Sequence, residues 1–142
     1  MKQEYKDWFI QNRDIDQESY NWPDRSYKYT NIHYSKVPFH KELKEHIYSF
    51  EGVDISTEYD TYHIHTWKEG DFFNEHMDNN FRRKWAYCCE LKASECNTKL
   101  VVNGFEMEEG IFDSFTLHSL PKIKQGTRIS LTVFGSTKPT LL

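Results

Sequence analysis

The sequence has few of the residues that interrupt or cross-link a chain. Of its 142 residues only six are glycine, four proline and three cysteine, and no segment has the composition of a flexible linker. The cysteines (Cys88, Cys89 and Cys96) are odd in number and lack a Cys-x-x-Cys spacing, which argues against a disulfide framework or a zinc site. No apolar run approaches the roughly 18 residues of a membrane span, and the N-terminus lacks the apolar stretch of a signal peptide. We therefore expect a cytoplasmic protein that contacts no membrane.

An excess of charge of one sign is also lacking. Lys and Arg total 18 against 22 for Asp and Glu, so the net charge is −4 with a pI near 6.0. This balance does not favour nucleic acid or anionic lipid as a partner, and the one basic cluster is Arg82-Arg83-Lys84. Aromatic residues, in contrast, make up 16% of the chain, enough for a core because each can bury roughly 150–250 Å². The length suits one domain and we expect a monomer.

Two segments of different periodicity divide the chain near residue 55. A helix from Pro38 to a stop at Gly52 is indicated by Phe39, Leu43 and Ile47, which recur every four residues. Residues 1–55 are thus predicted to be helical or irregular support, and residues 56–136 a β core whose strands are separated by glycine turns. The other predicted elements are a short helix near Tyr5 to Ile10 and strands at Thr61 to Trp67, Lys84 to Leu91, Lys99 to Val102, Ile111 to Phe115 and Thr127 to Phe134.

The last predicted strand has two chemically different faces. Side chains alternate along a strand, so its apolar and polar residues point in opposite directions. The apolar set is Ile129, Leu131 and Val133, and the polar set is Arg128, Ser130 and Thr132. The simpler interpretation is a strand whose polar face is in water. The alternative is a strand whose polar face lines a cavity.

His76 and Asp78 form the strongest candidate for a metal site. Two positions apart in an extended segment, they project from the same face and can contact one ion. A third ligand must come from elsewhere, and His118 is the only later histidine. Two histidines and a carboxylate on one face of an octahedron leave three positions open, which is the arrangement of non-haem Fe(II) oxygenases.

Arg128 is a candidate anchor for an anionic co-substrate at such a site. Fe(II) with one carboxylate ligand has a net charge of about +1, a dicarboxylate adds two negative charges, and one arginine restores neutrality. An arginine also binds a carboxylate through two parallel hydrogen bonds. Ser130 shares the face of Arg128, so polar residues pointing inward would have a role.

Three sequence blocks surround these residues in a characteristic order. They are Gly70-Asp71-Phe72-Phe73 before His76, Gly110-Ile111-Phe112-Asp113-Ser114-Phe115 before His118, and Gly126-Thr127-Arg128-Ile129-Ser130-Leu131. With them the chain resembles the Fe(II)- and 2-oxoglutarate-dependent oxygenases, and within these the prolyl 4-hydroxylase-like branch. The resemblance extends from about Tyr59 to Gly135, and it implies a double-stranded β-helix, or jelly-roll, with N-terminal helices supporting one sheet.

The resemblance also implies a function and a set of site residues. His76, Asp78 and His118 fall on the iron ligands, Arg128 on the residue that pairs with the distal carboxylate of 2-oxoglutarate, and Ser130 on a hydroxyl beside it. Fe(II), 2-oxoglutarate and O2 are the implied cofactors, and a requirement for ascorbate is left open. The implied reaction is hydroxylation of an unactivated C–H bond, with a prolyl residue of a peptide or protein as the preferred substrate. Strand alternation suggests that Tyr87 assists Arg128, and the residues proposed as an aromatic wall for a proline ring are Trp67, Phe73, Trp85 and Tyr87.

The chain departs from the pattern of these relatives at two places near the candidate site. Trp67 occupies a position that is usually tyrosine, and an indole donates a hydrogen bond but accepts none. Before Leu100, where relatives often have two glycines, this chain has Thr98-Lys99. Nucleic-acid demethylases of the same superfamily usually carry a second arginine at the position of Phe134, which further disfavours a nucleic-acid substrate.

Three alternatives remain open at this point. The substrate could be another residue type or a small molecule. His63-x-His65 with Glu69 partly matches the first metal motif of the cupins, although histidine in an aromatic strand more often serves as a hydrogen-bonded sheet residue. A third alternative is a non-catalytic cupin-like jelly-roll that binds a metal or ligand, and the predicted fold is the same in each case.

Overall fold

The structure, a computed structural model, describes residues 1–51, 61–78 and 84–135. Within these ranges the chain forms two α-helices and ten β-strands, and none of the helices is long and apolar enough to cross a membrane. In chain order the elements are α1 (Gln3–Gln11), β1 (Glu18–Trp22), β2 (Arg25–His33), α2 (His40–Glu51), β3 (Thr61–Trp67), β4 (Phe72–His76), β5 (Trp85–Ser94), β6 (Leu100–Val102), β7 (Phe105–Met107), β8 (Glu109–Asp113), β9 (His118–Leu120) and β10 (Thr127–Gly135).

The predicted class, mainly β with N-terminal helices, is confirmed. Both predicted helices are present, and each predicted strand coincides with an observed one, within a few residues at its ends. In α2 the periodic residues Leu43 and Ile47 are fully buried. The predicted helix stop at Gly52, and Arg82 and Arg83 of the basic cluster, lie outside the described residues.

The N-terminal segment corrects one expectation. Residues 1–55 were expected to be helical or irregular, but β1 and β2 form an antiparallel hairpin there. In β1 four of five residues are exposed, and in β2 only Thr30 and Ile32 are buried. Such a hairpin lacks the apolar alternation that identifies a half-buried strand. The polar and aromatic residues of β2 nevertheless form part of a cavity wall.

The strands curl into a nearly closed antiparallel barrel. Their order is β7-β6-β9-β4-β2-β3-β10-β5-β8, and β1 pairs with β2 outside this path. The strand β10 lies between β3 and β5, so strands that are distant in sequence are neighbours in the sheet. This non-sequential order distinguishes the fold from an up-and-down barrel.

The three central strands β3, β10 and β5 have one apolar face and one cavity face. The apolar face packs against α1 and α2 in a single core, and the full burial of side chains such as Ile64 and Leu131 stabilises the fold by roughly 1.5–3 kcal/mol each. The opposite face points into the barrel. The core residues of these strands and helices are Phe9, Leu43, Ile47, Tyr62, Ile64, Trp85, Tyr87, Cys89, Leu91, Ile129, Leu131 and Val133.

Two glycine turns fix the connections next to the barrel. Asn103 and Gly104 join β6 to β7 with positive φ angles of 51° and 80°, as a two-residue hairpin turn requires. Gly126 precedes β10 with a φ of 76°, and a Cβ there would lie 2.2 Å from the carbonyl oxygen of Ser94. Only glycine therefore allows β10 to begin this close to the end of β5.

Glu109 connects the helical layer to the sheet. Its carboxylate accepts hydrogen bonds from the Tyr87 hydroxyl (2.6 Å), from His46 Nε2 of α2 (2.6 Å) and from the amino group of Met1 (3.0 Å). Burial alone would raise the pKa of Glu109, but these donors lower it to about 2. The ionised carboxylate therefore stabilises the contact between α2 and the barrel.

Glu109→Gln tests this contact, because it removes the charge and keeps the shape. The pKa of Glu109 lies below its ordinary value of 4.5, so its stabilisation is complete above that pH and is lost as the pH falls toward 2. We expect the free energy of unfolding, measured in urea at pH 7, to be roughly 1–2 kcal/mol higher for wild type than for the variant. The difference should shrink at pH 3.5, whereas the exposed Glu106→Gln should match wild type at both values. A difference independent of pH would contradict the role of the charge.

Candidate metal centre

His76, Asp78 and His118 converge at one point of the barrel. His76 ends β4, His118 begins β9, and the two residues are directly opposite each other in the paired strands. Asp78 follows two residues after β4, and its Oδ1 atom lies 3.7 Å from His76 Nε2 and 3.8 Å from His118 Nε2. One potential ligand atom from each residue lies within 4.8 Å of the others. The three side chains can therefore coordinate one ion together.

Backbone carbonyls orient both imidazoles. His76 Nδ1 donates to the carbonyl of Asn74 (2.8 Å), and His118 Nδ1 donates to that of Thr116 (3.0 Å). A carbonyl only accepts, so in each neutral ring the hydrogen is on Nδ1 and the lone pair is on Nε2, which faces Asp78. Metal-binding histidines commonly have such a partner on the second nitrogen, since it fixes the tautomer and the ring orientation.

The two imidazoles have different protonation preferences. The nearby carboxylate of Asp78 raises the pKa of His76, whereas burial lowers the pKa of His118. The neutral form of histidine is the metal ligand. His118 is therefore held ready to bind an ion, and at His76 an ion competes with a proton that Asp78 favours.

These residues line a cavity of about 240 Å³ between the central strands and the strands β4 and β9. Phe73 packs near both imidazoles, with ring centroids 5.2 Å from His76 and 5.7 Å from His118, and Phe112 lies 4.7 Å from His118. Aromatic rings thus pack against both imidazoles, while 34% of the His76 side chain stays exposed. Residues of β2, β3, β5 and β10 also line the cavity, among them Arg25, Tyr27, Asn31, His63, His65, Trp67, Ala86, Cys88, Arg128, Ser130, Thr132 and Phe134.

Arg128 is buried in the wall of this cavity. Only 3% of it is exposed, and its Nε atom has no hydrogen-bond partner among the described residues. Glu90 Oε1 lies 3.5 Å away as the nearest counter-charge. Burial lowers the pKa of Arg128, partly opposed by Glu90, but an arginine keeps its proton in proteins. The polar face of β10 therefore lines a cavity, as the alternative interpretation of its sequence predicted.

A β-bulge determines which residue lies across from Arg128. Ser130 is opposite Glu90, but the register then shifts, so that Arg128 is opposite Ala93. In an unbroken ladder Lys92 would be opposite Arg128 on the same face, with two like charges in contact. The bulge instead leaves the guanidinium as the cation on this part of the wall.

The hydroxyl of Ser130 can donate toward the cavity, because its oxygen already accepts a hydrogen bond from Trp67. The indole Nε1 of Trp67 donates to Ser130 Oγ at 3.0 Å, and both side chains are buried. A serine hydroxyl has one hydrogen of its own. With its oxygen engaged by Trp67, Ser130 can offer that hydrogen to a ligand beside Arg128.

Tyr87 does not reach the candidate site, which corrects the expectation that it assists Arg128. It is opposite Val133 in the ladder between β10 and β5, so its side chain shares the helix-facing side with Val133. Its hydroxyl donates to Glu109 in that layer. Of the expected aromatic wall, Trp67 and Phe73 line the cavity, whereas Trp85 and Tyr87 belong to the core.

The cupin-like histidines lie in the cavity wall apart from the convergent group. His63 packs against Phe134 and His65 against Tyr27 and Trp67. Among the described residues, only His76, Asp78 and His118 form a group that could hold a metal ion. The three cysteines are free and buried.

Sequence reasoning missed the contribution of β2 and Glu90 to this region. Arg25, Tyr27, Tyr29 and Asn31 line the cavity from β2. Their spacing of two was a detectable signal, because residues at alternate positions share a face. Glu90 could not be found in this way, because its position beside Arg128 depends on the register of β5 against β10.

The chain resembles solved structures but no known sequence family. No protein-family model and no curated protein matches it. Among solved structures, a prolyl-4-hydroxylase from Pseudomonas putida aligns with a TM-score of 0.67 at 14% identity, over 97% of this chain and 89% of that one. A viral collagen prolyl hydroxylase from Paramecium bursaria Chlorella virus-1, solved as a 2OG complex, aligns with a TM-score of 0.65 at 16% identity. The alignment covers 94% of this chain and 90% of that one. The chain has their jelly-roll fold.

A further neighbour is an oxidoreductase of the 2OG-Fe(II) oxygenase family from Burkholderia pseudomallei. It aligns with a TM-score of 0.58 at 12% identity, over 83% of this chain and 71% of that one. These likenesses confirm the jelly-roll predicted from the sequence. At such low identity they establish the fold, and the chemistry has to be argued from the site.

A double-mutant cycle tests the Trp67 to Ser130 hydrogen bond. Ser130→Ala leaves a buried indole N–H without an acceptor, and Trp67→Phe removes the donor, so the two changes should not be additive. We expect a coupling of about 1 kcal/mol in urea unfolding. Trp85→Phe is the matched control, because Trp85 Nε1 is buried with no partner among the described residues. It should show no coupling to Ser130→Ala, and equal coupling for both tryptophans would refute the bond.

Proposed function

We propose that this protein is an Fe(II)- and 2-oxoglutarate-dependent dioxygenase that hydroxylates an unactivated C–H bond. The observation that supports this most directly is that one cavity contains both the His76, Asp78 and His118 group and the buried Arg128. The first set suits a metal that keeps open coordination positions. The second suits a carboxylate. Their combination is what a metal-chelating dicarboxylate requires.

Fe(II) fits the donor set of the proposed centre. Two imidazole nitrogens and one carboxylate oxygen are the ligands of the facial triad, and the three atoms already converge. His76 and His118 would bind through Nε2, since each Nδ1 is occupied by a backbone carbonyl. Asp78 would supply the negative ligand. The carbonyl contacts hold the imidazoles in place before an ion arrives.

2-Oxoglutarate fits the wall between this centre and β10. Arg128 would bind its distal carboxylate, and Ser130 would donate a second hydrogen bond. The charges support this assignment: Fe(II) with Asp78 gives about +1, Arg128 adds +1, and the dicarboxylate cancels both. The unpartnered Nε of Arg128 is the kind of buried donor that a ligand satisfies.

The residues around the centre would exclude water from the reaction. When bound, Fe(II) would activate O2, which oxidises 2-oxoglutarate to succinate and CO2 and supplies the oxygen atom of the new hydroxyl group. The protein contributes position and a dry environment. Phe73 and Phe112 shield the imidazoles on the inner side, and the buried Arg128 and Ser130 keep the co-substrate in one orientation.

The preferred substrate in this proposal is a prolyl residue of a peptide or protein. Two of the structural neighbours are prolyl hydroxylases by description. In this chain Trp67 and Phe73 form an aromatic surface in the cavity, with ring centroids 5.6 Å apart. Tyr27 extends that surface to β2, 4.6 Å from Trp67. Aromatic rings are the usual surface on which proteins bind proline-rich segments.

Replacement of the proposed ligands tests the metal centre. His76→Ala and Asp78→Ala each remove one of three ligands, so we expect metal affinity to fall by about 100-fold or more, since loss of a mere supporting partner already costs 10–100-fold. Titration with Mn(II), a redox-inert substitute here, measures the affinity directly. Circular dichroism should show that both variants remain folded.

His63→Ala is the matched control, because His63 lines the same cavity outside the convergent group. It should bind Mn(II) with wild-type affinity. If His63→Ala abolished binding while His76→Ala did not, the metal site would be of the cupin type instead.

Succinate formation from 2-oxoglutarate tests the activity and the substrate class. The iron-loaded protein should form succinate, and proline-rich peptides should increase the rate and acquire hydroxyproline. The control peptides have alanine in place of each proline and should give only the basal rate. Mass spectrometry locates the added oxygen.

The other outcomes distinguish the alternatives. Stimulation by a small molecule, with no response to peptides, would indicate a small-molecule oxygenase. Absence of 2-oxoglutarate consumption by a protein that binds the metal would indicate a non-catalytic binding jelly-roll.

A further inference from the structure

Arg128 shares a carboxylate with a second cation, Lys99. Glu90 lies beside Arg128, with Oε1 at 3.5 Å from Arg128 Nε and Oε2 at 3.0 Å from Lys99 Nζ. Glu90 and Lys99 are outside the residues that line the cavity, and Lys99 instead lines a groove on the outer surface. The row Arg128, Glu90 and Lys99 thus connects the proposed co-substrate site to the outside of the barrel.

Burial makes this row electrostatically significant. The exposed fractions of the side chains are 4% for Arg128, 13% for Glu90 and 22% for Lys99. Charges in such partly dry surroundings interact several times more strongly than in water. Lys99 also contacts Glu108 at 2.9 Å, but the Glu108 side chain is 71% exposed, and exposed pairs contribute little. Of the two carboxylates that contact Lys99, Glu90 therefore has the less screened charge.

The contact between Glu90 and Arg128 is incomplete. Glu90 Oε1 and Arg128 Nε are both buried, and neither makes a hydrogen bond within the described part of the chain. At 3.5 Å they are near enough to attract each other and too far for a good hydrogen bond. The other oxygen of Glu90 is held by Lys99. Lys99 thus keeps Glu90 from closing onto the guanidinium, whose donors remain available.

The net charge of the row also indicates that Lys99 keeps Arg128 available for a ligand. Arg128, Glu90 and Lys99 together carry a net charge of +1, because water screens most of the charge of the exposed Glu108. One ligand carboxylate can neutralise this net charge. Without Lys99, Arg128 and Glu90 would form a neutral pair, and an incoming carboxylate would meet the charge of Glu90.

We propose that Lys99 and Glu90 are positioning residues that keep Arg128 available for the distal carboxylate of the co-substrate. This rests on the proposed function, since it concerns the same ligand. Lys99 acts only through Glu90: it offsets the charge of that carboxylate and holds it back from Arg128. Glu90 in turn orients the guanidinium through the contact of its Oε1 atom with Arg128 Nε.

A mutant cycle in the Mn(II)-loaded protein tests the proposal through binding rather than turnover. Calorimetry gives the Kd of 2-oxoglutarate for wild type, Lys99→Met, Glu90→Gln and the double variant. We expect Lys99→Met to weaken binding about tenfold, because Glu90 then closes on Arg128. In the Glu90→Gln background the same change should have little effect. Lys99→Arg should restore wild-type affinity, and Arg128→Met sets the maximum loss.

A second ligand separates positioning from general stability. 2-Oxopentanoate has the same metal-chelating end as 2-oxoglutarate but no distal carboxylate, so Lys99→Met should leave its Kd unchanged. Lys124→Met is the charge control, because Lys124 lines the same outer groove as Lys99 and makes no ion pair with Glu90. It should bind both ligands as wild type does.

The possible failures are distinguishable. If wild type binds Mn(II) but not 2-oxoglutarate, the proposed function fails and the positioning role with it. If wild type binds 2-oxoglutarate and Lys99→Met has no effect, only the positioning role is wrong. The positioning role is equally overturned if Lys99→Met weakens the binding of both ligands alike, or if the loss of 2-oxoglutarate affinity persists in the Glu90→Gln background.

Discussion

The alternation of side chains on β3, β5 and β10 is the constraint on which the rest of the structure depends. One set of positions must be apolar, because it packs against α1 and α2. The other set faces the cavity and carries Trp67, Arg128 and Ser130. A register slip of one residue would exchange the two sets, so the same pairing that buries the core also builds the site. This accounts for a folded domain with only 37% hydrophobic residues, since half of its central positions are reserved for a polar interior.

The metal centre depends on a different and more local arrangement. His76 and His118 face each other across the short strands β4 and β9, with ring centroids 4.4 Å apart. Two imidazoles this close resist double protonation, and Asp78 lies between them as the only negative group of the triad. The backbone carbonyls direct both lone pairs to the same point. The candidate site is therefore arranged for a cation, and little reorganisation would be needed on binding.

The parts that sequence could predict are those determined by local spacing. The two-residue interval between His76 and Asp78, and the alternation along β10, follow from strand geometry alone. Tyr87 was assigned to the wrong face because its orientation depends on its pairing with Val133, and the pairing register is a long-range property. Glu90 was missed for the same reason. The hairpin of β1 and β2 was missed because its exposed and polar faces lack the apolar signal that identifies strands.

Trp67 determines the polarity of the cavity wall around Ser130 and Arg128. A tyrosine hydroxyl could donate to or accept from a ligand, but the indole only donates, and it donates to Ser130. The serine hydrogen is then directed elsewhere, and Arg128 contributes only donors. This end of the wall thus presents donors without a competing acceptor, provided that Glu90 stays engaged with Lys99. A donor-only, positively charged pocket binds a carboxylate and rejects neutral or cationic groups. In the proposed function, selectivity for a dicarboxylate would therefore be set by Glu90 and Lys99, which do not line the cavity, as much as by the residues that do line it.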